Sequence, residues 1–218
     1  MVENSNLSLE ERVEQLRKAK IGESKGPKIQ GVAHHLRERK HWAEHCSPKL
    51  ISLGPIHHGH PNLQLGERYK QTWAAAYIHT TGQSPESLHA RISIFIEDLT
   101  CLFDASLFAN NDEFRNYQRQ GFGSVEEKIC WTMFVDGCAL LHVLENPHIR
   151  FEDVPRDVLL LDNQLPFLLL KLLWRNADDG DLIRTMESFL HRHVWPVADA
   201  DEARLGFDYS DPAHLLDL

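Results

Sequence analysis

Seven of the 14 histidines, His34, His35, His41, His45, His57, His58 and His60, fall within 27 residues, with Cys46 among them. His41 and His45 are four apart and would share a helix face, an arrangement able to offer two imidazoles to one divalent cation. With His57, His58 or His60 added, such a centre would polarise water for hydrolysis. The spacing argues against it. No glutamate follows His41 as an H-E-x-x-H helix requires, the run being His41-Trp-Ala-Glu44-His45, and the C-x-x-C pairs of structural zinc are missing. Surface or hydrogen-bonded histidine is the plainer reading. A metal-dependent hydrolase built on residues 34–60 is the alternative.

Other catalytic devices fail on spacing. Residues 22–28 do not fit a Walker loop, and Gly121-Phe122-Gly123 lacks the third glycine and preceding strand of a dinucleotide fold. No G-x-S-x-G elbow occurs. Cys46 beside a histidine is what 14 histidines produce by chance. Glu97-Asp98 and Asp178-Asp179 face different ways on a helix and read as caps or solvated charge. No catalytic residue and no cofactor are assigned.

Two polar groups interrupt apolar helical patterns. Asp136-Gly137 lies inside an apolar helix, where glycine costs about 1 kcal/mol against alanine. Close helix contact at Gly137 accounts for it, with Asp136 pairing an arginine or capping a neighbour. Asp162-Asn163-Gln164 separates two leucine-rich blocks, where an unpaired polar group costs about 1–3 kcal/mol. These side chains are expected to satisfy backbone groups freed at a helix junction.

The elements that must position these residues are helices. Ser8-Leu-Glu-Glu11 is a capping box opening a short helix with Leu9, Val13 and Leu16 on one stripe. Residues 22–27 break it, so 1–27 reads as an arm on a single helical domain, 28–218. Residues 49–53 form a brief extended or buried segment ended by Gly54-Pro55. A helix runs from Pro61 to about Thr80, another from Ser84-Pro85 to Phe103, and 110–123 is a loop. Ser124-Val-Glu-Glu127 caps a helix to about Glu145, Pro166 restarts one, and 181–193 forms another. Asp211-Pro212 begins a helix that breaks off at Leu218. Truncation is preferred over docking of these last leucines, which leaves apolar surface uncovered. The class is mainly α: an irregular multi-helix domain with long loops and at most a minor extended segment.

Composition narrows the function classes. The 218 residues are 42 % apolar and 25 % charged, ordinary globular usage. With 23 Lys and Arg against 32 Asp and Glu, the net charge of −9 disfavours nucleic acid. No run approaches the roughly 20 apolar residues of a membrane span. The polar N-terminus is no secretory signal, and Cys46, Cys101, Cys130 and Cys138 read as buried reduced thiols. The chain is expected in the cytoplasm.

Five blocks, in order, resemble the plant "domain of unknown function 247" family, also called UPF0481. Residues 51–59 (ISLGPIHHG) resemble its V-S-I-G-P-Y-H-H-G, with Gly54, Pro55, His57, His58 and Gly59 matching. Leu63-x-x-x-Glu67-x-x-Lys70 resembles L-x-x-M-E-x-x-K. Residues 133–138 (MFVDGC), with Asp136 and Gly137, are similar to M-x-x-D-G-C-F. Residues 157–167 (DVLLLDNQLPF), with Asp162, Asn163, Gln164 and Pro166, resemble D-L-L-L-L-E-N-Q-L-P-F, and 214–218 resemble H-L-L-D-L. Ala33 stands for an expected proline, Ile56 for tyrosine, Ala139 for phenylalanine and Asp162 for glutamate, a swap that shortens the junction's reach.

The resemblance implies a non-enzymatic protein. Family members are usually about twice this length and end in one membrane-spanning segment, so it implies an N-terminal half. Some grass members are pollen-side self-incompatibility determinants, which implies specific protein recognition in reproduction. The expected function is therefore an interaction domain in pollen or gamete compatibility, binding a protein partner, a full-length relative or a second copy. A degenerate truncated paralogue is the third reading.

Overall fold

A computed structural model describes residues 29–32, 38, 41–149, 151–176, 178–194 and 212–217. The capping box at Ser8 and its helix lie outside them, as do His34 and His35. The described residues form α1 (Trp42–His45), α2 (Gln64–Thr81), α3 (Pro85–Ile94), α4 (Ile96–Cys101), α5 (Ser106–Ala109) and α6 (Asp112–Arg115). They continue with α7 (Val125–Glu145), α8 (Asp153–Val158), α9 (Phe167–Leu173) and α10 (Asp179–His193). The fold is mainly α. Its minor extended element is a single parallel bridge between Ile29 and Phe103.

Helix α7 is the axis. Burial around most of its circumference, from Ile129 and Met133 to Cys138, Leu141 and Leu144, makes it a core helix, with Trp131 exposed near its start. It packs most extensively on α2, and also on α3, α9 and α10. Ser124 Oγ accepts from Glu127 N–H at 3.1 Å, while Glu127 reaches back to Gly123 N–H at 2.7 Å, one residue before the position a capping box uses. Ser84 caps α3 in the same way, accepting from Ser87 N–H with Pro85 next. Helix α10 turns Leu182, Met186, Phe189 and Leu190 inward.

Four expectations are corrected. The helix read through Phe103 breaks at Phe95, whose N–H bonds Ile92 O instead of continuing the ladder. Ser93 Oγ bonds the His89 carbonyl one turn back, a contact that bends helices. Residues 110–123 are not a loop throughout, since Asn111 Oδ1 accepts from Glu113 N–H and starts α6, with a 3₁₀ turn at Tyr117–Gln120. Near the C-terminus a 3₁₀ turn, Leu215–Asp217, replaces the expected α-helix. It docks on the domain: Leu215 is 2 % exposed and Phe167 N–H donates to Ala213 O at 2.9 Å. Finally, the thiols are free, but only Cys130 and Cys138 are buried; Cys46 is half-buried and Cys101 exposed.

Two glycines set how closely elements approach. A Cβ on Gly137 would lie 2.3 Å from Leu173 Cδ1 and 3.4 Å from Leu169, so α9 crosses α7 there. A Cβ on Gly66 would lie 1.8 Å from the Leu50 carbonyl oxygen, so α2 rests directly on the backbone of residues 49–54. Backbone cannot swing aside as a leucine tip can. Gly66→Ala, which propensity alone would favour by about 1 kcal/mol, is therefore expected to destabilise by about 3 kcal/mol or more. Chemical denaturation reads this as a lower midpoint; an unchanged or higher one would refute the close approach.

Candidate functional site

Residues 49–54 run outside any helix, with Ile51, Ser52 and Leu53 almost fully buried in the core. No strand pairs with them among the described residues. A buried backbone without a ladder must find its partners elsewhere. Side chains supply them. The Asp157 carboxylate accepts from the N–H groups of Lys49, Leu50 and Ile51 at 2.8, 2.7 and 2.9 Å. Asn163 Oδ1 accepts from Leu53 N–H at 2.6 Å, and its Nδ2 donates to Ile51 O at 3.1 Å and Asp157 O at 2.9 Å. Asp136 Oδ2 accepts from Gly54 N–H at 2.9 Å.

A charged group closes the other side. Lys70, fully buried on α2, donates to Asp136 Oδ1 at 2.6 Å, Ser52 O at 2.8 Å and Glu67 Oε1 at 2.8 Å. Ser52 Oγ donates to Glu67 at 2.7 Å. Burial pushes the Asp136 carboxyl up to about 6, against the pull of Lys70. For Lys70 burial acts downward, and the Asp136 and Glu67 carboxylates outweigh it, raising the ammonium above its usual range. Burial pushes the Asp157 carboxyl up, with its three N–H donors opposing. In place of the expected arginine, Asp136 pairs with Lys70, and in place of a helix end it caps the backbone N–H of Gly54.

The junction residues behave as freed backbone requires. Gln164 Nε2 donates to Val158 O and Leu160 O, both at 2.8 Å. Asp162 Oδ1 accepts from Val32 N–H at 2.6 Å. Pro166 sits at the N-cap of α9, one residue earlier than a helix-opening proline usually stands.

The turn after Pro55 carries the histidines. Asn111 Nδ2 donates to Pro55 O at 2.9 Å and His58 O at 3.0 Å, pinning the turn to α6, and Gly59 lies against Glu113. His58 stacks on Phe114, ring centroids 5.2 Å apart, and its Nδ1 is buried without a hydrogen-bond partner. Burial first, then the charges of Lys70 and Lys128, lower its pKa to about 3, so the ring is neutral at pH 7. His57, His58 and His60 line an open cavity of about 830 Å³ together with Asp104, Asn110 and Glu113. His41 and His45 are elsewhere, their ring centroids 6.2 Å apart. Among the described residues no three His, Cys, Asp or Glu side chains converge to hold a metal ion.

The structure thus gathers Gly54, Glu67, Lys70, Asp136 and Asn163 around one segment and leaves His57 and His58 on an adjoining turn. The polar atoms of the first group are committed to backbone or to each other, which suits them to holding a chain in place. Asp157, Ser52 and Asn111 were not singled out as site residues. Asp157 opens a block that resembles the family, and Asn111-Asp-Glu113 has helix-cap form, so both carried a signal; Ser52 carried none.

Removing Lys70 leaves two carboxylates without their cation. Lys70→Met is expected to cost about 3–5 kcal/mol at pH 7.5. Because the folded Asp136 pKa lies above its unfolded value, that group's contribution is present at low pH and lost as pH rises. The variant should therefore recover stability relative to the parent protein between pH 7.5 and 5, and a pH-independent gap would refute the pairing. His58 has the opposite sign: its depressed pKa gives stability present above about 6.5 and lost toward 3. His58→Phe, which keeps the stack, should gain on the parent by up to about 1.4 kcal/mol per pH unit below pH 6.5. Parallel denaturation curves at every pH would count against burial of the neutral ring.

No helix among the described residues is long and apolar enough to cross a membrane. No solved structure matches the chain. A UPF0481 protein of Arabidopsis thaliana is 22 % identical over an alignment 188 residues long that covers 78 % of this chain and 36 % of that relative. The chain therefore spans about a third of the length of the curated relative it matches. Residues 29–218 match the family described as "plant protein of unknown function", DUF247, and the chain belongs to that family.

Proposed function

We propose that this chain is a non-enzymatic interaction domain that acts in the cytoplasm by binding another protein. The observation that carries the reading is the commitment of the motif side chains. Glu67, Lys70, Asp136 and Asn163 hydrogen-bond one another or the buried 49–54 backbone, so these four side chains are spent on holding the chain in place. Residues used in this way build a rigid support. What the support presents to solvent includes large apolar side chains: Ile94 at 76 %, Leu161 at 57 % and Trp131 at 44 % exposure. Trp131 is backed by the rings of His89 and Phe134, which hold it in one orientation, the usual form of an anchor for a partner's pocket.

Because some grass members of the family are pollen-side determinants, gamete compatibility is the setting proposed first, with a full-length relative as the first partner. Affinity capture from plant reproductive tissue, followed by direct titration of the recovered protein, tests this. Micromolar or tighter binding is expected, weakened at least tenfold by Trp131→Ala or Ile94→Ala at unchanged fold stability. Recovery of no protein above background would defeat the reading.

A further inference from the structure

A cavity of about 470 Å³ opens where the end of α7 meets the α9–α10 connection and one stripe of α10. Its charged lining is Arg175, Arg184 and Arg192 against Glu145 and Asp181, a net positive corner on a chain whose formal charge is −9. On α10, Arg184, Ser188 and Arg192 follow at intervals of four and so share a face.

Each arginine already has a local partner. Arg175 pairs with Glu145, Arg184 pairs with Asp181, and Arg192 donates to the Leu144 carbonyl at 3.2 Å. Each of these bonds uses one N–H of a guanidinium that carries five. The Asp181 carboxyl is held below its usual range, first by the bond from Arg184 and further by the charge of Arg175, so both guanidiniums act on one corner. Thr185 and Ser188 spend their hydroxyl protons on the carbonyls of Asp181 and Arg184, at 2.8 and 2.7 Å. The donors here are therefore the arginines.

Pairing of the arginines leaves one further donor unaccounted for. Trp174, only 3 % exposed, lines the same cavity, and its Nε1–H is buried with no acceptor among the described residues. Buried indole N–H groups nearly always have a partner, so this position suits an incoming oxygen. The Arg175 guanidinium lies 4.8 Å over the Trp174 ring and steadies it.

Three guanidiniums and an indole N–H around one cavity favour an anion with several oxygens. A carboxylate offers two; a phosphate offers three or four, and its edges match guanidinium forks in pairs. We propose that this cavity binds a phosphate dianion, free or as a monoester, with Arg184 and Arg192 gripping its oxygens and Trp174 Nε1–H donating to one of them. Arg184 turns to the anion from Asp181, an exposed pair that costs little to open.

The test titrates the full chain with inorganic phosphate and, separately, with phosphoserine at pH 7.5, with sodium chloride holding the ionic strength constant. The readout is the Trp174 indole N–H resonance, assigned by Trp174→Phe. Saturable binding in the millimolar range or tighter is expected, with that resonance moving downfield as the indole gains an acceptor. Arg184→Gln, at a side chain 66 % exposed, should weaken binding about tenfold, and Asp181→Asn, which releases Arg184, should tighten it. Tighter binding of phosphoserine would assign the site to a monoester, and tighter binding of inorganic phosphate to the free ion. No saturable movement of the Trp174 resonance, movement that chloride alone reproduces, or unchanged affinity in Arg184→Gln would overturn the proposal.

Discussion

A non-helical segment buried in a hydrophobic core without a neighbouring strand must still bond its amide groups, or lose about 1–3 kcal/mol for each one left over. Residues 49–54 meet that demand with side chains in place of a sheet. Asp157, Asn163 and Asp136 take the N–H groups of Lys49, Leu50, Ile51, Leu53 and Gly54, while Asn163 and Lys70 supply donors to the carbonyls of Ile51 and Ser52. The positions of α2, α7 and the 158–166 junction follow from this. Each must bring a specific polar group to a specific atom, and α2 must come close enough that only glycine fits at position 66.

The Lys70–Asp136 contact within this arrangement is better read as a register pin than as a source of net stability. Desolvating two charges offsets most of their attraction, and the raised Asp136 pKa reports that tension. A misplaced α2 would leave one or both charges buried alone, which penalises the wrong packing far more than the right packing is rewarded. Blocks of sequence about 100 residues apart thereby become one unit. The segments that resemble the family's motifs are mostly the two sides of the same set of hydrogen bonds.

Much of the architecture was legible in the sequence because its cues are local. Helical periodicity with Ser84-Pro85 and Ser124-x-x-Glu127 placed α3 and α7, and an isolated glycine beside an aspartate in an apolar run flagged a close crossing. Other features depend on atoms distant in the chain. Nothing near Lys70 announces that it is buried, since a lone lysine on a helix usually faces water and its partners lie at 52 and 136. The break at Phe95 follows from a serine bonding back inside a run whose apolar period continues past it. The docked 3₁₀ turn at Leu215 depends on Phe167 offering its N–H to Ala213. For the histidines, nearness in sequence is not nearness in space: the turn after Pro55 and α1 carry the rings to separate places.

The hydrogen bonds that Asp136, Asp157 and Asn163 make to residues 49–54 come from 82 to 112 positions downstream. A nascent polypeptide emerging from the ribosome therefore cannot settle its first third until Asn163 has left the exit tunnel. Until then the greasy Leu50, Ile51 and Leu53 travel with their amides hydrated and their apolar faces accessible to chaperones. Such long sequence separations raise the loop-closure cost of the first productive encounter and slow maturation. Translation speed across codons 54 to 163 thus sets how long this stretch stays open to misfolding.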